Sequence, residues 1–257
     1  MPGRQRYCSR SRTRTSRPKA ARRNRDCCEK RSQIKKVLLS LLFSAAPALA
    51  APFATQLGDA RIGLDAPPGF SDTAFTGSPR LQELAESLTS ASNRILLFAI
   101  SDGDLRRFMA GDTPELRRYV IAVTPRGLER ERITAGAFNV FVGDSLRELG
   151  SPPADADYVK HLDARAPGEV RLLAELRKEP EVVSVLLGTR LPAPPRASMF
   201  AEEKPPQYVL SSTTLLLVRG KALNLAVYTG YDSAADLDWI RATTARWIDE
   251  LRRLNPR

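Results

Sequence analysis

The chain has 257 residues and a formal net charge of +11 at pH 7, which in a compact protein points to nucleic acid or an anionic membrane as partner. The charge is concentrated at one end, because residues 1–50 hold 14 of the 40 Lys and Arg residues and only two of the 29 acidic ones. Residues 51–257 hold 26 basic and 27 acidic side chains, so they offer no basic surface for nucleic acid. All three cysteines, Cys8, Cys27 and Cys28, lie in the N-terminal part. A remaining domain of about 200 residues is long enough to fold around one core without disulfides.

Residues 35–50 have the pattern of a secretory signal peptide. Lys35 and Lys36 precede an apolar run of 14 residues, which is shorter than the roughly 20 residues needed to cross a hydrocarbon core. The run ends in Ala48-Leu49-Ala50, with small residues at the positions that signal peptidase reads. We expect cleavage after Ala50, a periplasmic protein and no permanent membrane span, whereas an uncleaved leader would attach the chain to the membrane. Residues 1–34 are interpreted as a disordered basic extension or a wrongly assigned start.

The first elements of the exported part are two strands and a helix. Ala60–Ala66 predicts a short strand that ends at Pro67-Pro68-Gly69. Ser78-Pro79 begins a helix, since a serine N-cap precedes a proline at the first helical position. The apolar stripe of this helix is formed by Leu81, Leu84, Ala85 and Leu88. Arg94–Ile100 is an apolar run without alternation, which predicts a strand with both faces covered.

A second covered strand is predicted at Tyr119–Val123, with one or two helical turns before it in Asp102–Met109. Thr134 then caps a helix, because Ile133 and Phe138 occupy the positions of a hydrophobic staple. We expect a buried stripe on this helix, formed by Phe138, Phe141, Val142, Ser145, Leu146 and Leu149.

The pattern is weaker over the next segment. Residues 151–168 are polar and proline-rich, with helical tendency around Tyr158 to Leu162. Glu169–Lys178 is compatible with either a helix or a strand. Val182–Leu187 predicts another strand, and the five prolines of Leu191–Pro206 predict a long loop.

A hairpin and a helix complete the chain. Tyr208–Val218 and Lys221–Tyr228 predict paired strands across Arg219-Gly220. The helix begins at Asp232 or Ser233, has Asp236 in its first turn and carries a stripe at helical spacing, formed by Leu237, Ile240, Thr244, Trp247, Ile248 and Leu251. Trp239 falls about 120° from the centre of that stripe at 100° per residue. It is either packed under a loop or exposed as a contact.

These elements predict a single α+β domain with a mostly antiparallel sheet sandwiched between helical layers. Ile62–Phe70, with its Pro-Pro-Gly-Phe end, and Leu215–Leu225 leading into the last helix resemble bacterial exported proteins with the α/β/α fold of PsbP, the extrinsic photosystem II subunit. This resemblance implies accessory or binding roles rather than one chemistry. It supplies no active-site motif.

The candidate catalytic and metal-ligating residues lack the patterns that such sites require. His161 is the sole histidine, so a multi-histidine metal site is excluded, and a triad with Asp157 or Asp163 has no Gly-x-Ser-x-Gly elbow to support it. Asp102-Gly-Asp104 fits a helix cap better than a calcium loop. The acidic pairs Glu179/Glu181 and Glu202/Glu203 are interpreted as solvated turns.

We therefore predict a non-catalytic periplasmic accessory or binding domain, without cofactor or metal, that binds another cell-envelope protein or a small ligand. Met199, Phe200 and Trp239 are the candidate interaction residues, the first two because they lie in a long loop. The alternative is a periplasmic hydrolase without a recognisable motif.

Overall fold

The structure is a computed structural model that describes residues 52–193 and 205–256. The predicted leader with its cleavage site at Ala50, and the candidate residues Met199 and Phe200, lie outside the described residues. Across the part of the chain that is described, no helix is long and apolar enough to cross a membrane.

The described chain begins with a small antiparallel hairpin, β1 (Phe53–Leu57) and β2 (Ala60–Leu64). Gly58 in its turn has a φ of +53°, and a Cβ there would lie 2.8 Å from the Nζ of Lys221. The prediction of one strand over Ala60–Ala66 was therefore incomplete, because that strand ends at Leu64 and pairs with a strand that the sequence analysis missed. β1 reads Phe-Ala-Thr-Gln-Leu, in which polar and apolar residues do not alternate, and the segment is too short to show a clear period.

Seven further strands form one sheet in which every neighbouring pair is antiparallel. Its order is β3-β4-β5-β9-β8-β7-β6. The bounds are β3 Phe70–Asp72, β4 Asn93–Ser101, β5 Arg118–Pro125, β6 Val170–Glu179, β7 Val182–Arg190, β8 Tyr208–Val218 and β9 Lys221–Gly230. The segment that fitted helix or strand, Glu169–Lys178, is thus strand β6.

Five α-helices accompany the sheet within the described residues. They are α1 Pro79–Ser87, α2 Asp102–Met109, α3 Ala135–Leu149, α4 Tyr158–Asp163 and α5 Ala234–Leu254. The predicted cap of α3 is confirmed, since the Thr134 hydroxyl accepts the backbone N–H of Ala137 at 3.2 Å. A mixed α+β fold with a mostly antiparallel sheet, as predicted, is also confirmed.

Alternating side chains of β4 belong to different core clusters. Leu97 and Ala99 lie in the largest cluster, which includes four buried side chains of α5, namely Ile240, Trp247, Ile248 and Leu251. Phe98 and Ile100 lie in a second cluster with Leu81 and Ala85 of α1 and Leu105 of α2. A third cluster joins Phe138 and Val142 of α3 to Val183 and Leu217 of the sheet.

The C-terminal hairpin and helix form as predicted. Arg219 and Gly220 have φ values of 50° and 77°, the left-handed pair that a tight two-residue turn requires. Asp236, in the first turn of α5, accepts the backbone N–H of the N-cap residue Ser233 at 3.2 Å. Trp247 is only 2% exposed, and its Nε1 donates to the Asp65 carbonyl at 2.8 Å.

The predicted buried stripe of α3 is only partly confirmed, since Ser145, Leu146 and Leu149 are half-buried and Phe141 is exposed. Phe141 is 47% exposed, although the helical stripe placed it among the buried residues. Phe138 and Val142 alone are fully buried on this helix, because they contact Val183 and Leu217 at one end of the sheet. Phe141 lies on the flank of that narrow contact, where the sheet does not reach it.

Candidate binding groove at the edge of the sheet

The outer edge of β4 is only partly covered. β3 pairs with the last three residues of β4, from Phe70 opposite Ser101 to Asp72 opposite Ala99. One further bond extends the ladder, from the N–H of Thr73 to the Phe98 carbonyl at 2.8 Å. Among the described residues, no strand pairs with Asn93–Leu97 on this side. The Asn93 N–H donates to the Ser90 carbonyl at 2.9 Å. The remaining four residues span about 13 Å of strand edge that is open to a partner.

Asp72 explains why β3 ends so early. Its carboxylate accepts the backbone N–H of Ala74 at 3.1 Å, and the N–H groups of Phe98 and Thr73 also lie against it. The side chain thereby occupies a position that a continuing strand would use, and the chain turns away through a 3-10 turn at Ala74–Thr76. Burial raises the pKa of the Asp72 carboxyl above its usual range, while these N–H groups act in the opposite direction.

A groove of about 720 Å³ lies between α1 and the open part of β4. Ala85 of α1 and Ile95 and Phe98 of β4 line it together with polar side chains such as Gln82 and Glu86 of α1. The volume is in the range of about 300–1,000 Å³ that is typical of ligand sites. Apolar surface next to an unpaired strand edge suits an extended chain, which needs both backbone partners and side-chain contacts.

A β-bulge shapes the strand at this point. The register against β5 shifts between Ile95 and Leu97. As a result Leu96 and Leu97 both join the cluster of α5, whereas Ile95 packs against the cluster of α1. Bulges locally increase strand twist and are frequent at sheet edges and next to binding sites.

The two ends of the groove differ in charge. Asp72 marks the end where β3 stops, and Arg126 lies at the other, where its backbone N–H donates to the Ser92 carbonyl and its Nε to the Ala91 carbonyl. Arg94 at the same end is paired with Glu129. Within the described part of the chain, Arg126 forms no ion pair. Glu86 of α1 also lines the groove, so its lining holds carboxylates as well as the Arg126 guanidinium.

Trp239 lies outside this groove and is half-buried. The Arg118 guanidinium stacks on its ring at 4.2 Å from the centroid, and the ring of Phe70 lies 6.0 Å away. Arg118 is fixed in turn by an ion pair of 2.9 Å with Asp236, the first-turn carboxylate of α5. Trp239 thus packs against Phe70, the first residue of the short strand that bounds the groove.

His161 lies on α4, where its Nε2 is 2.7 Å from an Asp155 carboxylate oxygen. The acids considered from the sequence have other partners, because Asp157 caps α4 at the Lys160 N–H and Asp163 accepts the Tyr208 hydroxyl at 2.8 Å. The hydrogen bond from His161 lowers the pKa of Asp155. No hydroxyl among the described residues hydrogen-bonds to His161, so the pair lacks a bound nucleophile there.

Asp104 and Glu179, two of the acidic residues considered from the sequence, have structural roles. Asp104 is 8% exposed and accepts the Ser101 hydroxyl and the Glu115 N–H, so it fixes the start of α2. Glu179 is held by Arg177 at 2.6 Å and Arg252 at 2.7 Å, and these hydrogen bonds lower its pKa. Glu202 and Glu203 lie outside the described residues. Over the described ranges, no three His, Cys, Asp or Glu side chains are grouped as a metal site.

Neither Asp72 nor Arg126 was predicted from the sequence. The apolar run of β4 correctly indicated covered faces, but coverage of a strand's faces says nothing about its edges. The nearest available signal was local. Gly77 and Ser78-Pro79 follow Asp72 closely in sequence, and such residues indicate that the chain turns soon after a short strand.

No protein-family model matches the chain, and no curated protein matches it. Among solved structures, the chain is similar to the Ran-binding protein Mog1p of Saccharomyces cerevisiae, whose crystal structure was determined at 1.9 Å resolution. The two are 12% identical, with 79% of this chain and 94% of Mog1p covered, at a TM-score of 0.33. Membership of the PsbP-like group therefore stays a prediction.

Proposed function

We propose that this chain is an exported, non-catalytic accessory domain that binds an extended segment of another cell-envelope protein along the outer edge of β4. The observation that carries the proposal is the outer edge of Asn93–Leu97, with which no described strand pairs, beside the groove under α1. In this mode the added strand gains affinity from backbone hydrogen bonds, and alternate side chains give specificity.

The layering of the domain favours an edge over a face as the binding surface. In the proposed sandwich, α1, α2 and α3 cover one face of the sheet, and α4, α5 and the β1–β2 hairpin cover the other. The buried clusters on alternating residues of β4 support this arrangement. A sheet covered in this way offers its backbone to a partner mainly at its edges.

The envelope location of the partner rests on the signal-peptide pattern of residues 35–50. The near-neutral charge of residues 51–257 also supports a protein partner over nucleic acid. The charge difference between Asp72 and Arg126 gives the bound segment a preferred direction, with an acidic residue toward Arg126 and a basic one toward Asp72.

The test uses the absence of cysteine from residues 51–257. A single Gln82→Cys variant, carrying a photoreactive label, is expressed for export and irradiated in intact cells. The matched control is Glu83→Cys, which lies on the same helix but does not line the groove. We expect a discrete adduct from position 82 and little from 83, with the crosslinked residue of the partner mapped by mass spectrometry.

The mapped segment is then added to the exported domain as a synthetic peptide. Binding along the edge should slow amide hydrogen exchange in Asn93–Leu97 and leave β6, the opposite edge strand, unchanged. Equal crosslinking from positions 82 and 83, or protection at β6 instead of β4, would contradict the proposal.

A further inference from the structure

Helix α3 presents more apolar surface than this chain buries by itself. Val140 is 66% exposed and Phe141 is 47% exposed. At 100° per residue these two side chains and the exposed Ala137 share one face of the helix, beside the face that Phe138 and Val142 bury against the sheet. Contiguous exposed apolar side chains mark contact surfaces, whereas single scattered ones do not.

Two glycines lie on the same exposed part of the helix. Gly136 and Gly143 are each about one turn from Val140, on either side of it. Among the described residues, a Cβ at Gly143 would have no neighbour within 4 Å outside the helix backbone, and a Cβ at Gly136 would approach only the Thr134 hydroxyl, at 4.0 Å. Glycine inside a helix is destabilising relative to alanine. A second helix packed here would use both glycines, because the distance between two helix axes depends on the side chains at the contact.

The charges at the two ends of α3 have opposite signs. Residues 130–132, just before the helix, are two arginines and one glutamate, with a net charge of +1. Residues 144–148, near its end, hold two acids and one arginine, with a net charge of −1. The helix dipole adds partial charges of the same signs at these ends. Two such helices therefore attract when they lie antiparallel, because each end then meets the unlike end of the other.

We propose that this chain forms a symmetric dimer in which α3 packs antiparallel against α3 of a second copy, with Val140 next to the two-fold axis. In a two-fold pair the same surface meets itself, so that surface must be complementary to its own copy. An apolar centre between ends of opposite charge meets this condition in the antiparallel orientation. A single helix face makes a small interface, so we expect a weak dimer with a Kd of about 10–100 µM.

The proposed dimer surface is separate from the groove at β4. α3 packs on β7 and β8, through Val183 and Leu217, in the other half of the sheet. The dimer therefore leaves the open edge of β4 accessible. Its test does not depend on the proposed binding of an extended segment.

Sedimentation velocity of the full chain, over about 1 to 500 µM, measures the association. We expect the average mass to rise from that of a monomer toward that of a dimer across this range. Val140→Asp places two carboxylates together at the axis and should weaken the dimer at least about tenfold. Phe75→Asp is the matched control, since Phe75 is a 72% exposed apolar side chain elsewhere, and it should leave the Kd unchanged. Circular dichroism confirms that both variants are folded.

Single-cysteine variants test the direction of the two helices. Cys8, Cys27 and Cys28 are first replaced by serine, so that each introduced thiol is the only one in the chain. In the antiparallel pair, Val140→Cys lies beside its own copy and should form an intermolecular disulfide on mild oxidation. Ala137→Cys lies about 9 Å along the axis from its copy, beyond the Cα separation that a disulfide spans, and should react at least about tenfold more slowly.

Three results would overturn the proposal. The first is a monomer over the whole concentration range. The second is an equal effect of Val140→Asp and Phe75→Asp on the Kd, which would make the association independent of α3. The third is an equal rate of disulfide formation at positions 137 and 140, which a parallel pair or random collision would give.

Discussion

Asn255 and Gly63 hydrogen-bond to each other in both directions across 192 residues of sequence. The Gly63 N–H donates to Asn255 Oδ1, and Asn255 Nδ2 donates to the Gly63 carbonyl, each at 2.8 Å. The same Nδ2 also donates to the Leu251 carbonyl at 2.7 Å. One side-chain amide therefore pairs with β2 as a neighbouring strand would, and it satisfies a carbonyl at the end of α5.

Asn255→Ala should destabilise the domain by about 1–3 kcal/mol, because it leaves partly buried backbone groups of Gly63 without partners. Asn255→Asp should cost more, since a carboxylate cannot donate to the two carbonyls. Urea denaturation measures both changes. Asn139→Ala, an exposed position on α3, is the control, and an equal loss there would show that the amide has no special role.

Lys221 links the β1–β2 turn to the loop before α3. Its side chain is 1% exposed, and its Nζ donates to the Glu131 carbonyl at 2.8 Å and pairs with Asp59 at 3.0 Å. The hydrogen bond from Lys221 is the main cause of the lowered pKa of Asp59. Because the folded pKa lies below the unfolded value, this contribution to stability is present above the ordinary pKa of 3.8 and is lost as the pH falls through the folded value.

Asp59→Asn should therefore lower stability at neutral pH and reduce the loss of stability on acidification. Unfolding free energies from denaturant titrations at a series of acidic pH values provide the measurement. The exposed Asp112→Asn is a suitable comparison. If Asp59→Asn retains the full acid dependence of the wild type, the pair with Lys221 does not contribute as described.

The two tryptophans of α5 should differ in their importance for stability. Trp247→Ala removes a fully buried ring and its hydrogen bond to Asp65, and we expect a loss of about 3–5 kcal/mol. Trp239→Ala removes a half-buried ring that contacts Phe70 and Arg118, so a distinctly smaller loss is expected. Chemical denaturation of both variants decides between them, and equal losses would mean that the burial of Trp239 has been underestimated.

Export predicts a specific mature N-terminus. If the pattern at residues 35–50 is a cleaved signal peptide, protein from the periplasmic fraction should begin at Ala51. N-terminal sequencing of that fraction is the measurement, and Ala50→Leu, which places a larger residue at the cleavage position, should slow processing. Recovery of the intact 28.4 kDa chain from the cytosol would contradict the prediction.

Local sequence signals determined the elements whose chemistry is itself local. The Arg219-Gly220 turn, the Thr134 cap and the stripe of α5 were predictable because turn geometry, capping and helical period act over a few neighbouring residues. The mostly antiparallel α+β class followed from the order of these elements. Segments without a strong period, such as β1, β3 and β6, were missed or left open.

Only the tertiary structure decided how those elements meet. It left Phe141 exposed, because the fully buried contact of α3 with the sheet is made by Phe138 and Val142, and it paired His161 with Asp155 rather than Asp157 or Asp163. The open edge of β4 likewise depends on which strands become neighbours. Strand pairing joins residues far apart in sequence, and its energy comes from contacts that no local pattern records.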